Sequence, residues 1–158
     1  DSDTIRMVDY QIVDVDDEEA YNKVNKEALD MGMEGIMIKP IEGTYQCKRS
    51  YNWLKIKPFI EVTLTVVDFQ EGTGKNKGGL GALVVNGEDD GKYFELNVGS
   101  GLTDQLREDI WNSKEKVLGQ LVEIRADAAT LNQDSEDVYS LRFPRFKTFR
   151  GFKMGEKL

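Results

Sequence analysis

Tyr93-Phe-Glu-Leu-Asn-Val98, followed by Gly99-Ser-Gly-Leu-Thr-Asp104 and then Leu106, Ile110 and Trp111, is the stretch on which the fold turns. The first six residues read as a strand. Thr103 is a good helix N-cap, and the apolar residues after it recur at helical spacing. A strand therefore gives way to one amphipathic helix. Before it, Val62–Phe69 and Leu80–Val85 read as strands; after it, Leu121–Arg125 and Ser140–Phe143 do so.

Five strands with a helix between the third and fourth is the order of an OB-fold, a small closed barrel often used on nucleic acids. A two-sheet sandwich would call for more strands. The glycine-rich Gly72-Thr-Gly-Lys-Asn-Lys-Gly-Gly79 has no phosphate-loop spacing and precedes a strand rather than a helix, so it reads as a flexible hairpin between barrel strands.

Upstream of Pro58 the character differs. Ile5 to Val15 reads as a strand. Asp16 or Asp17 can cap a helix whose apolar stripe is Tyr21, Val24, Ala28 and Met31, with Glu18 and Glu19 in its first turn and Gly32 as terminator. Two short strands follow, Gly35–Lys39 stopped by Pro40 and Trp53–Lys57 stopped by Pro58. The expected class is mainly β with α: residues 1–58 form one part and 59–158 the barrel.

Composition narrows the chemistry. The 158 residues are 39% hydrophobic and 32% charged, with one cysteine, Cys47, and no histidine. This suits a folded, soluble, intracellular protein without an internal disulfide, a histidine triad or a histidine-ligated metal. No apolar run reaches the roughly 18 residues of a membrane span. Net charge is −8, but unevenly spread: residues 34–58 hold 2 acidic and 5 basic side chains, and residues 141–158 hold 1 and 6. Cations confined to two short stretches suit phosphate at a defined site better than a general coat on a polyanion.

The first basic stretch places Lys55 and Lys57 on one face of a strand and Leu54 and Ile56 on the other. Adjacent ammonium groups disfavour each other unless an anion or water separates them. A solvated lysine face is the plain reading. The alternative is a phosphate site, because Glu34 and Lys39 bracket the strand before it, and one carboxylate near lysines suits a magnesium–phosphate complex. The second stretch, Arg142-Phe-Pro-Arg145-Phe-Lys-Thr-Phe-Arg150, interleaves cations with Phe143, Phe146 and Phe149. It suits either stacking on nucleic acid or an edge strand guarded by charge, its rings in the core.

Glu34-Gly-Ile-Met-Ile-Lys39 resembles motif IV of the covalent nucleotidyltransferases, and Ser50-Tyr-Asn-Trp-Leu-Lys-Ile-Lys57 their motif V. Lys48–Lys57 is similar to cellular ATP-dependent DNA ligases, Ser140–Phe146 to the run leading into their motif VI, and Gly99–Asp104 to a block of their OB domain. The resemblance spans most of the chain in the family's order. It implies the end of an adenylation domain (a partial nucleotidyltransferase domain, ATP-grasp-like), residues 1–58 with motifs IV and V, and an OB-fold domain, residues 59–158, ending in motif VI.

The implied chemistry has three steps: a lysine takes AMP from ATP, AMP passes to a DNA 5′-phosphate, and the 3′-hydroxyl displaces it, sealing a nick in duplex DNA. Such enzymes serve DNA replication, recombination and repair, in the cytoplasm of a bacterium or virus-infected cell or in a nucleus. By resemblance, Lys55 and Lys57 contact the adenylate phosphate, Glu34 helps hold Mg²⁺, and Lys39 edges the nucleotide pocket. Arg150 and Lys153 match motif VI, which orients the pyrophosphate of ATP and implies a hinge near Pro58. Lys48, Arg49, Arg142 and Arg145 are the expected DNA phosphate contacts.

Two features depart from the family. Phe152 stands where an acidic residue commonly precedes the motif VI lysine. No K-x-D-G is present; the one Asp-Gly, Asp90-Gly91, has Glu88 two residues before its aspartate. The chain reads as a C-terminal portion that does not adenylate itself. The rival readings are an RNA ligase or capping-type nucleotidyltransferase, and a non-catalytic OB-fold nucleic-acid-binding module.

Overall fold

The computed structural model describes residues 8–14, 16–132, 135 and 137–152. The chain divides into two compact units, Asp1–Pro58 and Phe59–Leu158.

In the first unit, α1 (Glu18–Asp30) begins where Asp17 accepts a hydrogen bond from the Ala20 amide at 3.0 Å, with Glu18 and Glu19 in the positive first turn. It ends in a Schellman motif: the Gly32 amide donates to Leu29 O and the Met33 amide to Ala28 O, both at 2.9 Å. Gly32 has φ 80°, the left-handed conformation this stop requires. Two short strands follow, β1 (Ile36–Ile38) and β2 (Leu54–Ile56), antiparallel with Met37 opposite Lys55. The strand expected over Ile5–Val15 is not formed in its described part. Residues 8–14 carry no helix or strand, and Val8, Tyr10 and Ile12 lie exposed. Its alternation was only partial, and an apolar segment without a pairing partner has no ladder to fix it. Residues 5–7 and 15 lie outside the described residues.

The second unit is the barrel. Its strands are β3 (Ile60–Glu71), β4 (Leu80–Asp89), β5 (Lys92–Val98), β6 (Leu121–Ala126), β7 (Ala128–Leu131), β8 (Val138–Arg142) and β9 (Arg145–Gly151), with α2 (Asp104–Asn112) and α3 (Lys114–Val117) between β5 and β6. On β3, Val62, Leu64 and Val66 are buried, and the residues between them face outward. On β6, Val122, Ile124 and Ala126 do the same. Each valine, leucine or isoleucine so buried contributes about 1.5–3 kcal/mol. Asp90 (φ 48°) and Gly91 (φ 68°) make the tight β4–β5 turn, both in the left-handed region that a two-residue hairpin needs.

Hydrogen-bonded neighbours run β7-β8-β5-β4-β3-β6-β9. Only Asp127 separates β6 from β7, so one bent strand pairs with β3 at its first half and with β8 at its second. Bending at Phe143 and Pro144 likewise joins β8, which runs parallel to β5, to β9, which pairs with β6. Counted this way the described residues form five strands, and the sheet closes on itself as an OB-fold. Residues 128–131 and 145–151 extend beyond the strands expected from sequence, because a bent strand shows two short periodic segments instead of one long one.

The block Gly99–Asp104 has local causes. A Cβ on Gly99 would lie 2.8 Å from Gly81 O, and one on Gly101 (φ 88°) 2.5 Å from Phe146 O. Thr103 Oγ1 accepts from the Leu106 amide at 3.1 Å, capping α2. Arg107, one turn on, donates to Leu80 O at 2.9 Å, to Gly81 O at 2.6 Å and to Gly99 O. One guanidinium thus ties α2 to the start of β4 and the end of β5. None of the described helices is long and apolar enough to cross a membrane, which says nothing about strands.

Candidate functional site

Glu34 and Lys55, 21 positions apart, meet across the β1–β2 pair: Lys55 Nζ donates to Glu34 Oε2 at 2.7 Å. Gly35 makes this possible. Its φ of 141° is open to glycine almost alone, and a Cβ there would sit 2.0 Å from Ile56 O. The missing side chain lets the backbone of one strand press against the other and holds Glu34 opposite the lysine. Lys57 follows the end of β2 and is half-buried.

Lys39, at the far end of β1, turns onto an aromatic ring. Its Nζ lies 3.7 Å from the centre of the Trp53 ring, whose plane Tyr45 meets edge-on at 5.5 Å. Lys48 and Arg49 are exposed in the loop before β2, which is closed by the Asn52 amide donating to Ser50 Oγ at 3.1 Å. Among the described residues no three His, Cys, Asp or Glu side chains gather as a metal cluster. A Mg²⁺ ion that keeps phosphate and water needs few protein oxygens, so such a cluster is not required of a site for it.

In the barrel, the rings of the basic tail divide by position. Phe146 and Phe149 pack against the core, edge to face at 5.0 Å, whereas Phe143 is 62% exposed at the strand corner with φ 53°. Arg145 Nη2 donates to Asp127 at 2.8 Å, and the Arg142 guanidinium lies 5.5 Å from the Phe143 ring. Arg150 Nε donates to Glu123 Oε2 at 2.7 Å, and its Nη2 donates to the same oxygen. Lys153 lies outside the described residues.

The family described as DNA ligase OB-like domain matches residues 71–150, and that described as ATP dependent DNA ligase domain matches residues 1–57.

The chain belongs to the ATP-dependent DNA ligases.

A DNA ligase of Methanoculleus marisnigri is 29% identical over 85% of this chain and 27% of its own length. One of Methanococcoides burtonii is 33% identical over 95% of this chain and 29% of its own length. The solved structure named Pmar-Lig_Pre is 55% identical, with a TM-score of 0.76 over 89% of this chain and 32% of that chain. The chain therefore spans less than a third of each of these relatives.

In this ligase chain, four residues that the sequence did not single out prove central to the barrel surface. Glu123 is 5% exposed, yet it sits on the outer face of β6. Lys147 Nζ lies 2.6 Å from Glu123 Oε1 and 2.7 Å from Glu61 Oε1. Arg125 closes the row, donating to Glu61 Oε1 through Nε at 3.0 Å and Nη2 at 2.8 Å, with its guanidinium 3.9 Å from the Phe59 ring centre. The hydrogen bond from Lys147, supported by Arg150, holds the Glu123 carboxyl below the usual glutamate range against the opposing effect of burial. Lys147 and Arg125 lower Glu61 in the same way, and the two carboxylates raise Lys147. A signal in the sequence was the spacing of Phe146 and Phe149, which both pack on the core: a separation of three puts side chains on opposite faces of a regular strand, so one shared face requires a bulge between them.

Proposed function

We propose that this chain is the C-terminal part of an ATP-dependent DNA ligase that seals nicks in duplex DNA inside the cell. Residues 1–58 end its adenylation domain with motifs IV and V, and residues 59–158 are its OB-fold domain. The observation that carries this reading is the Glu34–Lys55 contact, which sets a carboxylate beside a cation on paired strands, as nucleotide phosphate and a divalent ion together would need.

Each step of the reaction is substitution at phosphorus, where a protein acts mainly by positioning groups and stabilising negative charge. Lys55 and Lys57 bind the α-phosphate and offset the charge that grows on it. Glu34 takes Mg²⁺, which when bound neutralises phosphate oxygens. Lys39 and Trp53 border the nucleotide. Arg150, with Lys153, meets the pyrophosphate that departs in the first step. Lys48, Arg49, Arg142 and Arg145 hold DNA phosphates.

The test uses the full-length gene product with labelled ATP and nicked substrates. The expected result is a covalent adenylate that survives denaturation and seals nicked DNA in preference to nicked RNA, while GTP gives no adduct. This chain on its own, which has no K-x-D-G, forms no adduct. Sealing of RNA alone, or a guanylate adduct, would move the protein to another branch of the nucleotidyltransferases. Binding of DNA without any adduct would make it a non-catalytic module.

A further inference from the structure

Lys147 and Arg150 are three residues apart on β9, a spacing that puts side chains on opposite faces of a regular strand. They nevertheless reach one carboxylate. Along the β6–β9 ladder, Arg145, Phe146, Thr148, Phe149 and Gly151 pair in turn with Arg125, Ile124, Glu123, Val122 and Leu121. Lys147 and Arg150 are the two residues left without a partner, each at a register shift. Two bulges thus turn both cations outward onto Glu123, while Phe146 and Phe149 both turn inward onto the core.

Across β3, β6 and β9 the result is a row of alternating charge, Arg125–Glu61–Lys147–Glu123–Arg150, with three cations to two carboxylates. The Glu123 side chain is 7% exposed, whereas Lys147 and Arg150 are 39% and 38% exposed. The anion is at the bottom and the cations are reachable from above. Covering the sheet would not require this, since apolar side chains of similar volume do so without desolvating a carboxylate. Of the five N–H groups of a guanidinium, the bonds to Glu123 take two. Donors are therefore fixed in place with capacity for a second oxyanion.

We propose that Glu123 is a positioning residue: it holds Lys147 and Arg150 as one two-cation grip for the pyrophosphate portion of the nucleotide. The proposal rests on the reading above, in which Arg150 meets that group, and adds Lys147 as the second cation. Because pyrophosphate is present only in the first step, the grip acts on self-adenylation and not on the later joining of an adenylated DNA end.

Two rates measured on the full-length protein test this: covalent adenylation by ATP, and sealing of a nick that already carries AMP on its 5′-phosphate. Glu123→Gln keeps the shape and removes the charge. It should slow adenylation about tenfold more than it slows sealing, the size expected when one charge-assisted hydrogen bond is lost, and Lys147→Gln should shift the ratio the same way. The KM for ATP should rise along with the fall in rate. A parallel fall in both rates, or an unchanged ratio in a folded variant, would overturn the proposal. Should Glu123→Gln not fold, Lys147→Gln, at a solvent-reachable position, decides alone. A wild-type protein that forms no adenylate would instead remove the ligase reading, and this proposal with it.

Discussion

Glu34 and Lys55 are hydrogen-bonded at 2.7 Å because the residue next to Glu34 has no side chain. The contact depends on a backbone approach that no other residue type permits at Gly35.

Gly35→Ala should therefore break the β1–β2 pairing. The added methyl would overlap Ile56 O, and the φ of 141° disfavours any Cβ, so the expected cost is about 2 kcal/mol or more. Hydrogen exchange at the amides of residues 36–38 measures it. Protection equal to that of the unaltered chain would show that the close approach is not required.

The charged row on the barrel predicts a two-sided pH profile of stability. Glu61 and Glu123 titrate below 4.5 when folded, so their stabilisation is present above about pH 4.5 and is lost as pH falls through their folded values. Lys147 titrates above 10.5 when folded, so its share is present below that pH and lost as pH rises through the folded value. Thermal melts across the acid range should show a shallower decline for Glu123→Gln than for the unaltered chain. Superimposable acid limbs would mean that the ion pairs contribute nothing net.

Arg107→Ala is predicted to destabilise the barrel through the carbonyls it serves. Alanine there leaves the carbonyls of Leu80, Gly81 and Gly99 without their donor, which should cost about 2–3 kcal/mol. For a domain near 100 residues that lowers Tm by about 10 °C or more. A melt displaced by a degree or two would mean that water replaces the guanidinium without loss.

Phe143 holds a left-handed backbone at the β8–β9 corner with its ring mostly in solvent. Phe143→Asn, which tolerates that conformation, should raise stability by about 1 kcal/mol, readable as a higher urea midpoint with an unchanged slope. A lower midpoint would mean that the ring's packing outweighs the strain.

Much of the architecture was written locally. Asp17, Gly32 and Thr103 act through atoms within a few residues, so the ends of α1 and the start of α2 could be read directly. The alternation of Val62, Leu64 and Val66, repeated on β6, is a local pattern that coincides with the inward face of the barrel. Proximity of Glu34 to the motif V lysines could be anticipated from two adjacent strands, though not the glycine contact that brings Glu34 to Lys55.

Closure of the barrel decided the rest. Bends at Asp127 and Phe143, and bulges at Lys147 and Arg150, arise because strands curving round a closed sheet must shed register somewhere, and where they do so depends on partners up to 86 residues away, as for Glu61 and Lys147. By itself the sequence determined most of the strands and helices and where the cations lie along the chain, although residues 8–14 form no strand and residues 128–131 and 145–151 form strands that its pattern did not mark. Only the tertiary structure decided that two of those cations share one buried carboxylate, because burial and pairing belong to contacts between strands and not to any one of them.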